Sequence, residues 1–539
     1  MFNRTALLQA AIFVILFNLS TTAYHHFFGE PPEVPVIESM PEQLVVGQSV
    51  RGKKQRFINV ETDKMSVTID KLGGRIVAVS FKDYQQNEQD AVSFFGREED
   101  MLLDTQSGIL GDEKLEFNAN KSQYILTGDK LVVGLQASAS NGVRYTKDFT
   151  FKSGQYTIEQ NARAVNGGAD EVSLSTYHVI SGGKLTKIEK QPPKTKDLSF
   201  DKIDFSAPAA KAFSGVSYTT KSKPYVRVKF ENMDNKKPDV TKGGWIAFQK
   251  HHFLAAWVLE DKPYKVRSFI REGVLPNDDS SYEQQFATQA QSGVKKLQPG
   301  ESLVDKTTLY VGPQLLPHLV ALDQSLKLTM DYGFFWMFAS ILHKMLAGIH
   351  TLVPSWTLSL IVLTALFRLV FYKATKDQTI QAQKIKKMEV EKKAIDAQFA
   401  DRGRFDAEKN EAMIALYKKH NIKLFSFSAF MPILQIPLMI AFYGMVAVAV
   451  EFRSEAFGWI ADVSMPDPLY IMPVLTVATM YFQSTEMTAS EEFKVVARYM
   501  PIIFAYFVIK FPASLQLYLA VNTGLGLLQS KFLVKKPAA

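Results

Sequence analysis

The chain has 539 residues, 47% of them hydrophobic, a net charge of +8 at pH 7 and no cysteine. Without cysteine there is no disulfide framework, thiolate zinc site, catalytic thiol or lipid-modified amino-terminal cysteine. The basic residues are not interleaved with aromatics in any nucleic-acid pattern, and the modest positive charge fits a membrane protein with basic cytoplasmic edges.

The amino terminus carries Arg4 and then a mostly apolar stretch from Ala6 to Leu19, with small residues at Thr21 and Ala23. A cleaved signal and a retained anchor both fit this pattern. Extended through Phe28, the stretch is long enough for a span, so residues 1–28 are read as a transmembrane anchor. Residues 29–59 are a Pro-rich linker, including Glu30–Pro41, held extended by its prolines. Residues 60–313 then alternate as strands do: Ser66–Asp70 and Arg75–Phe81 flank Gly73-Gly74, and Tyr124–Thr127 and Leu131–Leu135 flank Gly128-Asp129. Tyr225–Phe230 and Leu303–Val311 continue the pattern, which predicts an antiparallel β-sandwich domain.

Residues 314–353 comprise a short linker and an amphipathic helix. Ser340, His343, Lys344, Ala347 and His350 fall on one face, and Ile341, Leu342, Met345, Leu346 and Ile349 on the other. A helix lying in the membrane interface has this pattern, and so does an ordinary packed helix. Residues 354–534 hold five further apolar segments, at about 356–372, 427–450, 469–482, 499–509 and 513–532. The fourth is short for a span. Residues 375–424 between the first two read as a cytoplasmic hairpin of two charged helices broken near Gly403. Its charges fit solvated packing or a docking surface for a basic partner.

Charge orients the segments. Lys373–Leu424 holds thirteen Lys and Arg against eight Asp and Glu, and the tail carries Lys531, Lys535 and Lys536, whereas Glu451–Asp467 holds four acids and only Arg453. Six spans, with both termini and the hairpin cytoplasmic and the sandwich external, satisfy these counts.

Motifs for nucleotide and metal chemistry fail. Gly47–Lys54 has phosphate-loop spacing but ends in lysine where Ser or Thr should bind magnesium. The pairs His25-His26 and His251-His252 are adjacent in sequence, so each pair points to opposite sides of a strand. No cofactor and no catalytic residue is indicated. The informative residue is Arg368, the one charge in an apolar run from Trp356 to Tyr372. A cation at a helix centre costs about 2.5–3.5 kcal/mol on insertion scales, and such residues are usually functional. Snorkelling to the inner interface is one reading. The other is a hydrated cavity on the cytoplasmic side, to which Thr364, Gln435, Thr476, Thr479, Gln483, Gln516, Asn522, Thr523 and Gln529 would contribute. No span contains a carboxylate, which argues against proton- or sodium-coupled transport. A small-anion transporter or channel built on Arg368 remains the alternative.

Arg368-Leu-Val-Phe-Tyr372-Lys-Ala-Thr375-Lys376-Asp-Gln378 resembles the signature of the YidC-type membrane protein insertases. So do Leu328–Gly333, Ala415–Lys418, Gln435-Ile436-Pro437, Asp467-Pro468-Leu-Tyr470 with Pro473, and Phe511-Pro512 with Leu515, Leu517 and Tyr518. Leu519 stands where relatives often carry a second tyrosine. The resemblance implies a Gram-negative, inner-membrane form with a large periplasmic domain: six transmembrane helices, five of them forming the insertase core. It implies a non-enzymatic insertase and chaperone, working without nucleotide hydrolysis, alone or with Sec translocon components. Its partners would be nascent membrane proteins, the lipid bilayer and, through the hairpin, the ribosome. The implied substrate groove comprises Arg368, Thr364, Gln435, Met480, Gln483, Tyr518 and Asn522.

Overall fold

A computed structural model describes residues 56–85, 91–98, 101–187, 213–228, 233, 238–250, 252–274, 281–399, 406–422, 427–487 and 491–534. The anchor at residues 1–28, nearly all of the linker, the Gly47–Lys54 loop and the His25-His26 pair lie outside the described residues. The chain divides into two compact units, whose described parts are residues 56–330 and 331–534.

The first unit is built on two large sheets. One has ten strands, from Asp239–Lys242 at one edge to Gln123–Ile125 at the other, and the second has nine, from Val226–Val228 to Asn118–Ala119. The alternation that marks each strand also sorts its side chains. In Val143–Lys152 the residues Val143, Tyr145, Lys147, Phe149 and Phe151 are buried, and those between them face outward. The inner faces meet across pairs such as Phe81 stacked on Phe253 at 4.9 Å and Phe248 stacked on Phe286 at 5.4 Å. Gly73 and Gly74 turn the first hairpin at φ of 72° and 61°, a left-handed backbone that favours glycine, between Met65–Asp70 and Arg75–Gln85.

One expected pairing differs. Gln123–Ile125 and Lys130–Ser138, on either side of Gly128-Asp129, do not form a hairpin. The first pairs in parallel with Phe57–Glu61 in the ten-stranded sheet, and the second pairs with Val143–Lys152 in the other sheet. The turn residues mark a crossing between layers.

Inside this sandwich lies a charged pair. Lys147 is 0% exposed, and its Nζ lies 3.0 Å from the Asp112 carboxylate, itself 1% exposed. The ammonium also donates to the carbonyls of Gly73 and Ser107, each at 2.8 Å. Asp112 accepts in turn from the Tyr177 hydroxyl and the Ile109 amide. Burial pushes the Lys147 ammonium down and the Asp112 carboxyl up, and their mutual attraction opposes both shifts.

The second unit is helical. It comprises α2 (Trp336–His350), α3 (Trp356–Val370), α4 (Tyr372–Lys387), α5 (Glu389–Gln398), α6 (Ala407–Lys419), α7 (Phe427–Val448), α8 (Ile471–Met487), α9 (Glu491–Val508) and α10 (Ala513–Val534); a short α1 (Leu316–Leu322) belongs to the first unit. Among the described residues no single helix is long and apolar enough to cross a membrane. The bent pair α3–α4, with an angle of 61°, passes that test together. In α10 the polar side chains described below lower the apolar count. The helix over the short fourth segment begins at Glu491 rather than near Tyr499. The hairpin is also more broken than expected. Its first arm kinks at Met388 between α4 and α5, and α6 follows beyond Gly403.

The two faces of α2 are not sorted by polarity. His343, placed on its polar face, is 3% exposed and packs inward beside Ala339, Leu342 and Leu346, whereas Met337, Ile341 and Met345 face outward. The ring tolerates burial because both nitrogens find partners: Nδ1 meets the Tyr332 hydroxyl at 2.7 Å and Nε2 meets the Glu451 carboxylate at 3.1 Å.

Candidate functional site: a polar cavity around Arg368

The site is assembled from the elbow of the bent pair and the last helix. Helix α3 ends at Val370, only two residues past Arg368, and α4 leaves at an angle, so Thr375, Gln378 and Thr379 return to the same space as the guanidinium. On α10, Asn522, Thr523, Gly526, Gln529 and Ser530 recur at helical spacing and make one polar or small face. Together with α7, α8 and α9 these elements line a half-open cavity of about 410 Å³. Arg368, Gln435, Met480 and Gln483 are on its wall, as are Thr375, Gln378, Thr379, Thr523, Gly526, Gln529 and Ser530; Met500, Pro501 and Phe504 supply its apolar side.

Arg368 is half-buried, and the groups holding it are neutral. Its Nε donates to the Asn522 side-chain oxygen at 2.8 Å and an Nη to the Asn522 carbonyl at 2.5 Å. Among the described residues no carboxylate pairs with it. Gln529 fixes the elbow by donating to the Thr375 hydroxyl at 2.7 Å and the Tyr372 carbonyl at 3.2 Å. Thr479 and Thr523 hydroxyls meet at 2.6 Å, tying α8 to α10 beside the cavity. Such a space can hold water and a polar or anionic group inside an otherwise apolar bundle.

The other residues expected in the groove are placed differently. Thr364 is 1% exposed and returns its hydroxyl to the Leu360 carbonyl. Tyr518 is 4% exposed, stacked on Phe442 at 4.3 Å. Both belong to the packed interior rather than the cavity wall, and Asn522 stands behind Arg368. Gln516 is fully buried in the first turn of α10, away from the cavity, donating to the carbonyls of Val508 and Phe511 where α9 ends. It satisfies orphan carbonyls at that terminus. Thr379, Met500, Phe504, Gly526 and Ser530 were missed by sequence reasoning. Thr375, Gln378 and Thr379 lie seven, ten and eleven residues beyond Arg368, a helical spacing that a continuous-face count would have found.

A helical bundle with a half-buried, uncompensated cation in a polar cavity, joined to a large β-sandwich unit, defines a membrane protein with a β-rich extramembrane domain. Family models agree in both parts: residues 57–345 match the YidC periplasmic domain and residues 348–538 match the 60Kd inner membrane protein family. The chain belongs to the YidC family of polytopic inner-membrane proteins, and the resemblance drawn from its motifs is borne out. Similar relatives named membrane protein insertase YidC come from Stutzerimonas stutzeri, 30% identical over 94% of this chain and 89% of the relative, and from Pseudomonas aeruginosa strain LESB58, 29% identical over 94% and 90%. One from Coxiella burnetii strain RSA 331 is 28% identical over 89% and 83%. A solved structure described as an active YidC insertase with the first transmembrane domain resolved aligns over 90% of this chain and 93% of that one, at 14% identity and a TM-score of 0.36.

Proposed function

We propose that this chain inserts apolar helices of nascent membrane proteins into the inner membrane, through the cavity around Arg368 and without nucleotide hydrolysis. The observation that carries the reading is the guanidinium held, among the described residues, only by neutral acceptors in a polar space of about 410 Å³. A charge left without a counter-ion in an apolar surrounding is costly, and an anionic or strongly polar client segment lowers that cost on arrival. The client's external segment is drawn toward Arg368 from the cytoplasmic side, past Gln435, Met480 and Gln483. Its apolar helix then partitions sideways into lipid, and burial of apolar surface drives the step. Thr364 and Tyr518 come into reach only as the bundle opens.

In the same reading the chain has six spans with both termini cytoplasmic, and the periplasmic domain lies outside the insertion path. Sec translocon components share some clients, and the hairpin α4–α6 offers the ribosome a contact. Insertion of a single-span client into liposomes tests the core of this. Arg368→Ala and Arg368→Glu are expected to lower the yield about tenfold or more, the worth of one charge-assisted contact. Wild-type yield from both variants, or saturable flux of a small anion with no crosslink from Met480 to a client, would sink it.

A further inference from the structure

We infer that Asn522 and Gly526, one turn apart on α10, are positioning residues that hold Arg368 aimed into the cavity while leaving its charge free; this rests on the function proposed above. A guanidinium carries five N–H donors. Asn522 takes two of them, one with its side-chain oxygen and one with its backbone carbonyl. Both bonds come from one residue and grip the same edge of the planar fork, so the plane is fixed and three N–H groups remain for whatever enters. No further hydrogen bond to Arg368 is formed among the described residues, and the side chain is on the cavity wall.

The choice of acceptor matters as much as the grip. An aspartate at 522 would reach the same donors, but it would also neutralise the cation and remove the attraction that an acidic segment feels. Asparagine orients without neutralising. Gly526 provides the second condition, which is space. A Cβ built there would lie 2.7 Å from an Arg368 Nη and 2.9 Å from Gln483 Nε2, closer than such atoms approach. A side chain there would push the ends of Arg368 and Gln483 away from the positions they hold. Its φ is ordinary helical, so no turn requires the glycine and the close approach accounts for it.

The proposal ranks variants in an order that packing does not. Full-length protein is reconstituted in liposomes at matched density, and insertion is followed for one single-span client made in two forms, with Asp or Asn in its translocated segment. For the wild type the Asp form is expected to be favoured about tenfold. Asn522→Asp, which keeps shape and hydrogen bonds, should bring that preference to about one, while Asn522→Ala should leave about threefold because the charge stays free but unaimed. Gly526→Ala should also reduce the preference, and Asn522→Asp should add nothing in an Arg368→Ala background. If Asn522→Asp is milder than Asn522→Ala, or if the variants depress both client forms in equal proportion, the two residues serve packing alone and the inference is overturned. A wild type with no preference, unaffected by Arg368→Ala, would instead remove the functional reading beneath it.

Discussion

The two units each take a cation out of water, and they treat it in opposite ways. In the periplasmic domain Lys147 is fully enclosed and meets Asp112, two carbonyls and the face of Phe117, whose ring centre is 5.3 Å away. In the helical unit Arg368 is only half-buried, and among the described residues its hydrogen bonds go only to the oxygens of Asn522. On the function proposed here, the compensated charge belongs to the fold it sits in, whereas the uncompensated one is held for an incoming partner. The two cations differ in depth of burial and also in their acceptors, a carboxylate for Lys147 and neutral oxygens for Arg368.

The largest expected effect tests the first half of that contrast. Lys147→Ala leaves Asp112 buried and unpaired and should destabilise the periplasmic domain by about 3–5 kcal/mol, read by denaturant unfolding of its core tryptophans Trp245 and Trp257. Replacing both partners, Lys147→Met with Asp112→Leu, should recover most of that loss, because no charge is then stranded. Arg368→Ala should leave the thermal stability of the helical unit unchanged or slightly raised while insertion falls. If Arg368→Ala unfolds that unit as Lys147→Ala unfolds its own, the contrast collapses. Because the sandwich lies outside the proposed path, deleting about residues 60–300 should leave much of the insertion activity.

A smaller effect is expected where a carboxylate is used for structure within the membrane unit. Glu455 accepts from the Ser355 hydroxyl at 2.7 Å and from the Thr357 amide at 3.1 Å, and Ser355 Oγ accepts from Leu358, so together they cap the start of α3. A negative group at a helix amino terminus satisfies orphan amides and complements the dipole. Glu455→Ala should cost about 1 kcal/mol, seen as faster hydrogen exchange at Thr357 and Leu358 with insertion largely kept. Loss of insertion equal to that of Arg368→Ala would move Glu455 from scaffold to site.

Much of this was legible in the sequence because the signals were local. Arg368 announced itself as one charge in an apolar run, and Gly73-Gly74 marked a hairpin that the backbone confirms. What stayed hidden depended on contacts between elements. Gly128-Asp129 carries the same turn chemistry as a hairpin, yet the strands beside it join different sheets, a choice made by the inner faces they pack against. The sequence places His343 among the polar residues of its helix but does not show that Tyr332 and Glu451 supply partners that let it be buried. Gly526 is silent in any pattern of hydropathy, because its role is the absence of an atom where Arg368 lies.

The smallest effect concerns His178, which is fully buried in the sandwich with Nδ1 at 2.8 Å from the Ser107 hydroxyl and Nε2 at 3.7 Å from Asp305. Burial lowers its pKa below the usual histidine value; Asp305 and Glu260 oppose the shift, and Lys262, which binds Asp305 at 2.8 Å, reinforces it. The folded state therefore resists the proton that the unfolded chain accepts near pH 6.5. Stability from this residue is complete above that pH and declines as pH falls toward the lowered folded value, by up to about 1.4 kcal/mol per pH unit. His178→Asn should flatten the part of the acid slope that His178 owns, measured as the difference between variant and wild-type unfolding free energies at pH 6.5 and 5.5. An unchanged difference across that interval would mean that His178 takes up protons equally in the folded and unfolded chain, and a change of opposite sign would mean that it is already protonated in the fold, paired with Asp305.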